Sequence, residues 1–141
     1  MAKSKEKTHA EKLLDLVKAS GARFFRDQYD RPHARIRQDG HWEIRACSSE
    51  GFETWLTGLG YRSRSSFVPN RETLGAVLNL LKAKARFEGE RHHLYNRVAL
   101  YEGHIYYDLA DERWRAVEVS ECGWRIVDSP PILFRRHGHQ G

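Results

Sequence analysis

Eight basic side chains carry the most suggestive chemistry in this sequence. Arg62 and Arg64 lie in a Ser-rich stretch that leads to Arg71, Lys82, Lys84 and Arg86 fall within five residues, and Arg135 and Arg136 are adjacent. Guanidinium groups bond phosphate bidentately, and several close together can track a nucleic-acid backbone. The same pattern also suits a solvated helix face beside a polar loop. Lys82 and Arg86, four apart, would share one helix face. No recognition-helix motif accompanies them, so any DNA contact is expected to be to phosphates and indifferent to sequence.

Other chemistries find less support. The sequence holds neither GxxxxGK(S/T) nor GxGxxG, the loops that cradle phosphates, so an ATPase site within it is not expected. His92 and His93 are adjacent and would point to opposite faces of a strand, while His137 and His139 have no carboxylate or thiolate nearby in sequence. Asp108, Asp111 and Glu112 could offer oxygen ligands to a divalent cation, but Leu-Ala-Asp-Glu also reads as a hairpin turn. Cys47 and Cys122 belong to no CxxC pattern, and Ser63, Ser65 and Ser66 form no G-x-S-x-G elbow. The expectation is therefore no catalytic residue, no metal and no cofactor.

Composition sets the frame for these residues. The 141 residues are 40% hydrophobic and 11% aromatic, enough for one globular domain with its own core. The net charge is +5, unevenly spread: net +4 over residues 51–100 (eight basic and four acidic side chains), and −2 over residues 101–141 (five and seven). Two isolated cysteines suggest reduced thiols and a cytoplasmic protein, and no apolar run approaches the roughly 20 residues of a membrane span.

The elements that would position the basic residues can be read from hydrophobic period and punctuation. Residues 1–8 form a flexible basic leader. Leu13, Leu14 and Val17 make a helical stripe stopped at Gly21. Three short strands follow, ARFF, HARIR and HWEIRA, with turns at Tyr29–Pro32 and Gln38–Gly40. A helix capped near Ser48–Ser49 carries Phe52, Trp55, Leu56 and Leu59 and ends at Gly58 and Gly60. A second, capped by Asn70, carries Leu74, Val77, Leu78, Leu81 and Ala85 and stops at Gly89. The last third reads as an antiparallel meander of four strands, RVALYE, HIYYDL, WRAVEV and GWRIVD. The expected fold class is α+β: three short N-terminal strands and a C-terminal meander packed with two to three helices. A single domain over residues 9–130 precedes a basic tail or linker stub over residues 131–141. Expected core residues are Trp55, Leu74, Leu78, Leu81, Ile105, Leu109, Val117, Trp124 and one of Ile126 and Val127, with Trp42 and Trp114 as further anchors.

One stretch resembles a known family. Gly103, Ile105, Tyr106, Asp108 and Leu109, then Trp114, Ala116, Val117 and Glu118, then Gly123, Trp124 and Val127, and finally Pro130, Pro131, Phe134, Arg135 and Arg136 follow an order similar to large replication-type ATPases of phages and integrative elements, the primase–helicase proteins of poxvirus and phage type. Phe52, Trp55 and Leu56 with the helix after Arg71 extend the resemblance over about residues 22–136. In that family the region lies upstream of a P-loop ATPase domain, and this chain stops where the linker to it would begin. The resemblance implies a fragment, a truncated gene product or a stand-alone relative. Its partners would be DNA and an ATPase or helicase domain, in cis or in trans, and it carries no catalytic residue onto this chain. Three readings follow: a non-enzymatic replication module that binds DNA weakly or docks on a helicase motor, a protein-interaction domain using Tyr106, Tyr107 and Trp114, and, last, a nuclease built on the acidic cluster.

Overall fold

A computed structural model of the chain describes residues 7–136. The leader residues 1–6 and the stretch 137–141, with His137 and His139, lie outside the described residues.

Local signals start each helix. Helix α1 (His9–Ala19) is capped by Thr8, whose hydroxyl accepts the Glu11 N–H. Helix α2 (Glu50–Tyr61) is capped by Ser49 through the Phe52 N–H, and α3 (Arg71–Phe87) by Asn70 through the Thr73 N–H at 2.8 Å. Helix α2 does not end at Gly58 or Gly60, as the sequence suggested. A Cβ at Gly60 would stand 2.8 Å from the Phe67 carbonyl oxygen. That glycine lets the following loop fold back onto the helix, where the Phe67 N–H donates to the Gly60 carbonyl and Phe67 is buried.

The first sheet is the antiparallel set β1 (Arg23–Arg26), β2 (Pro32–Gln38) and β3 (His41–Ala46). Asp39 and Gly40, both at positive φ, close the β2–β3 hairpin. The helices cover one face of this sheet. Leu13, Val17, Phe52, Trp55, Leu56, Leu74, Val77 and Leu81 pack with Ala34 and Ile36 into the main core, while Leu78 is partly buried.

Two short strands, β4 (Leu94–Asn96) and β9 (Leu133–Arg135), pair in parallel and were not expected. Between them in sequence runs the meander β5 (Val98–Tyr101), β6 (His104–Asp108), β7 (Ala116–Ser120) and β8 (Gly123–Val127), in that spatial order. The fold is therefore α+β with antiparallel three- and four-stranded sheets. The supposed tail is structural as far as Arg136: Ile132 and Phe134 are buried against Ala99, Tyr106 and Ala116, and Leu133 packs beside Phe25, Ile44 and Leu94. The domain boundary expected at residue 130 is corrected accordingly. Among the described residues no helix is long and apolar enough to cross a membrane.

The meander faces the opposite way from the sequence expectation. Ile105, Leu109, Trp124 and Ile126 are exposed, and of the expected residues here only Val117 and Val127 are even partly covered. The inward face instead carries Ala99, Tyr106, Asp108, Ala116 and Glu118. Polarity misleads because each polar group on it is satisfied internally. Tyr106 donates its hydroxyl hydrogen to Glu118 at 2.9 Å, Arg125 donates to Glu118 at 2.9 Å, and Arg136 clamps Asp108. Alanines at positions 99 and 116 leave room for Phe134. Of the tryptophans, only Trp55 is fully buried. Trp42 and Trp114 are half-buried under arginines, and Trp124 is 72% exposed.

Candidate functional site: an apolar sheet face and a basic cleft

Strand register defines the first feature. In β5–β8 the cross-strand pairs Val98–Tyr107, Leu100–Ile105, Ile105–Val119, Tyr107–Val117, Val117–Ile126 and Val119–Trp124 all lie on one side of the sheet. All eight positions on that side are apolar or aromatic, and none carries a charge. Six of them are exposed, from 39% at Ile105 to 72% at Trp124. The outer strands β5 and β8 contribute four of these six, so the patch spans the full width of the sheet.

The second feature is a cleft of about 320 Å3 where β2, β3, α3 and the end of β9 meet. It brings together two features that lie apart in the sequence: Lys82 of the α3 run, and the Arg135–Arg136 pair of the supposed tail. Arg31, His33 and Ser48, none of them a functional candidate from the sequence, line it as well. In the sequence Arg31 is only part of a turn, and no local pattern signals that it lines a cleft with Lys82.

Buried carboxylates orient the two C-terminal arginines. The Asp27 side chain is fully buried and ion-paired with Arg135. Its Oδ1 accepts the N–H groups of Tyr29 and Arg31 at 2.8 and 2.9 Å. Burial pushes the Asp27 carboxyl up, but these two backbone donors, with His33 and Arg135, outweigh it and hold the group below the ordinary carboxylate value. Arg136 engages both oxygens of Asp108, with its Nε 2.7 Å from Oδ2, and its guanidinium carbon lies 4.1 Å from the Trp114 ring centre. Burial lowers the His33 value, so its imidazole stays neutral at pH 7.

The remaining predicted basic residues lie elsewhere. Arg71 opens α3 and Lys82 lies eleven residues on, about 16 Å along the axis at ~1.5 Å per residue. Arg62, Arg64, Arg71 and Lys84 are exposed. Arg86 lies over the Phe87 ring. The acidic cluster is a turn: Asp111 accepts both the Arg115 backbone N–H at 2.9 Å and its Nε–H at 2.6 Å, while Asp108 serves Arg136. Among the described residues no three His, Cys, Asp or Glu side chains converge on a metal position. His92 meets the Phe25 ring edge-on, and His93 packs against Tyr95. Cys47 is buried, its thiol pushed up to about 12 by desolvation, and Cys122 is exposed. Tyr106 lies inside the fold, so of the three aromatics expected at a protein interface only Tyr107 stands on the open face.

Compared with protein-family profiles, with characterised proteins and with solved structures, this chain matches none.

Proposed function

We propose that this domain is a non-enzymatic assembly module that docks through the outer face of β5–β8, in the DNA-replication setting that the resemblance of residues 22–136 implies. The observation that carries the reading is the uncharged face of eight apolar positions across four paired strands. The six exposed side chains on it amount to on the order of 600 Å2, the top of the range for a patch left open on a monomer. The occupant we assign is a second copy of the chain. A face without charges selects for another face without charges, and a two-fold axis makes one patch its own complement. Two such faces would bury about 1,200 Å2, which reaches the lower end of stable interfaces, with the sheets ~10 Å apart as in a sandwich.

Analytical ultracentrifugation tests this. The chain is expected to sediment as a dimer of its 16.5 kDa mass at micromolar concentration. Leu100→Lys combined with Trp124→Lys should weaken association at least 100-fold, since these are the two most exposed side chains of the face and a lysine buried at either would be an unpaired charge. Circular dichroism should be unchanged, because both side chains are exposed in the monomer. A wild-type chain that stays monomeric at 100 μM sinks self-association and gives the face to a different protein.

DNA contact is a second reading, supported by the exposure of Arg62, Arg64, Arg71 and Lys84, which form no ion pair among the described residues. Binding through phosphates falls with salt by a slope of about 0.9 per contact. Changing these four residues to Ser is expected to lower the slope of log K against log salt by about 3 to 4, measured by fluorescence anisotropy on a duplex. Absence of wild-type binding even at low salt rejects this reading and leaves the docking one intact.

A further inference from the structure

The cleft formed by β2, β3, α3 and β9 is cationic in a specific way. Arg31, Lys82, Arg135 and Arg136 line it from three separate elements, and no carboxylate lines it. Asp27 and Asp108 pair with Arg135 and Arg136 but are not part of the lining, so they stand behind the guanidinium groups and fix them. Such backing carboxylates preorganise a charged donor without occupying the site it faces. The Nε–H of Arg135 is buried and has no acceptor among the described residues. Pro32, Ile44 and Ala46 complete the walls, so part of the cleft is apolar and charge interactions within it are strengthened. Neutral His33 and the Ser48 hydroxyl add hydrogen-bonding groups that do not repel an anion.

We propose that this cleft binds a phosphate monoester, with Lys82 and Arg31 taking the phosphoryl oxygens, Arg135 and Arg136 adding positive charge beside them, and the apolar wall taking the group attached to it. About 320 Å3 accommodates a phosphoryl group with a modest organic part and falls at the small end of ligand pockets. Two sources offer that chemistry, a free nucleotide and the phosphorylated end of a nucleic-acid strand.

Four probes separate the sources by calorimetry and NMR on the whole chain: inorganic phosphate, a nucleoside 5′-monophosphate, and one oligonucleotide with either a 5′-phosphate or a 5′-hydroxyl. The monophosphate is expected to bind more tightly than inorganic phosphate and to shift the amide signals of Ser48 and Lys82. A preference of tenfold or more for the 5′-phosphorylated strand assigns the strand end as the source. Monophosphate binding without that preference assigns the free nucleotide. Lys82→Gln and Arg31→Gln should each weaken binding about tenfold, equivalent to ~1.4 kcal/mol, and neither residue pairs with a carboxylate among the described residues, so both variants should fold. Arg135→Gln unpairs Asp27 and is read only alongside these two. The proposal is overturned if none of the four probes binds at millimolar concentration, or if the Lys82 and Arg31 variants bind as well as the wild type.

Discussion

Replacing Asp27 by Ala is expected to lower the unfolding free energy by about 3–5 kcal/mol, the usual cost of breaking a buried ion pair from one side. Arg135 keeps its guanidinium, 17% exposed, and loses its carboxylate. The 27–31 turn loses its acceptor at the same time, since Tyr29 and Arg31 both donate to Asp27 Oδ1. Asp27→Asn separates the two effects. It can still accept from the turn but carries no charge, so it should fall between wild type and Ala in urea denaturation. The pH dependence has a defined sign. Because the folded carboxyl is held below its ordinary value, its stabilisation is complete above the unfolded pKa of roughly 3.9 and is lost as pH falls through the lower folded one. Wild-type stability should therefore drop below about pH 4, and the drop should be shallower in Asp27→Asn. Parallel acid profiles in the two proteins would show that Asp27 does not couple folding to protons.

Arg136→Ala should be comparably severe, again about 3–5 kcal/mol, for a different reason. Its side chain is 10% exposed and that of Asp108 only 3%, so removing the guanidinium strands a buried carboxylate. Arg136 also donates to the Asp111 carbonyl and stacks on Trp114, in a turn where Ala110 and Trp114 hold positive φ of 55° and 58°. Such backbone persists only where neighbouring contacts enforce it. Arg136→Lys should recover little, because an ammonium group cannot form the two parallel bonds to Asp108 or lie flat on the indole. The double variant Arg136→Met with Asp108→Asn should recover a large part of the loss, since it removes the orphaned charge together with its partner. If the double variant is as unstable as Arg136→Ala, the cost lies in the turn and the Trp114 contact rather than in the carboxylate.

Much of the secondary structure was legible. Ser49 and Asn70 announce helix starts, and the stripe Leu74, Val77, Leu81 and Ala85 marks the buried side of α3. Glu102 and Gly103 mark a hairpin with both residues at positive φ. The orientation of the meander was not legible. Period two says that Ile105 and Tyr107 share a side and that Tyr106 and Asp108 share the other, but not which side turns inward. Here tertiary ion pairing decides, through Arg136 just after β9, 28 residues from Asp108, and no local pattern carries that information. The same is true of the cleft. Lys82 and Arg135 both stand out as basic residues, yet their meeting depends on β9 pairing in parallel with β4, and three-residue strands leave almost no periodic trace. Arg135 and Arg136 looked like a free basic pair because their acidic partners lie 108 and 28 residues away.

That parallel pair also sets the order in which the molecule can form. Antiparallel neighbours β5 to β8 are joined by short turns, so the meander can assemble early from local contacts. Strands β4 and β9 flank it in sequence and can pair only after all of residues 97–132 have been brought round, the slow kind of closure. Until then the meander is apolar on one side and carries unpaired Asp108 and unshielded Tyr106 on the other. A nascent chain halted before Leu133 would hold a sheet open on both surfaces, the form most prone to stick to its neighbours. The last described strand thus acts as a latch, and productive folding depends on how soon it arrives after the meander has formed.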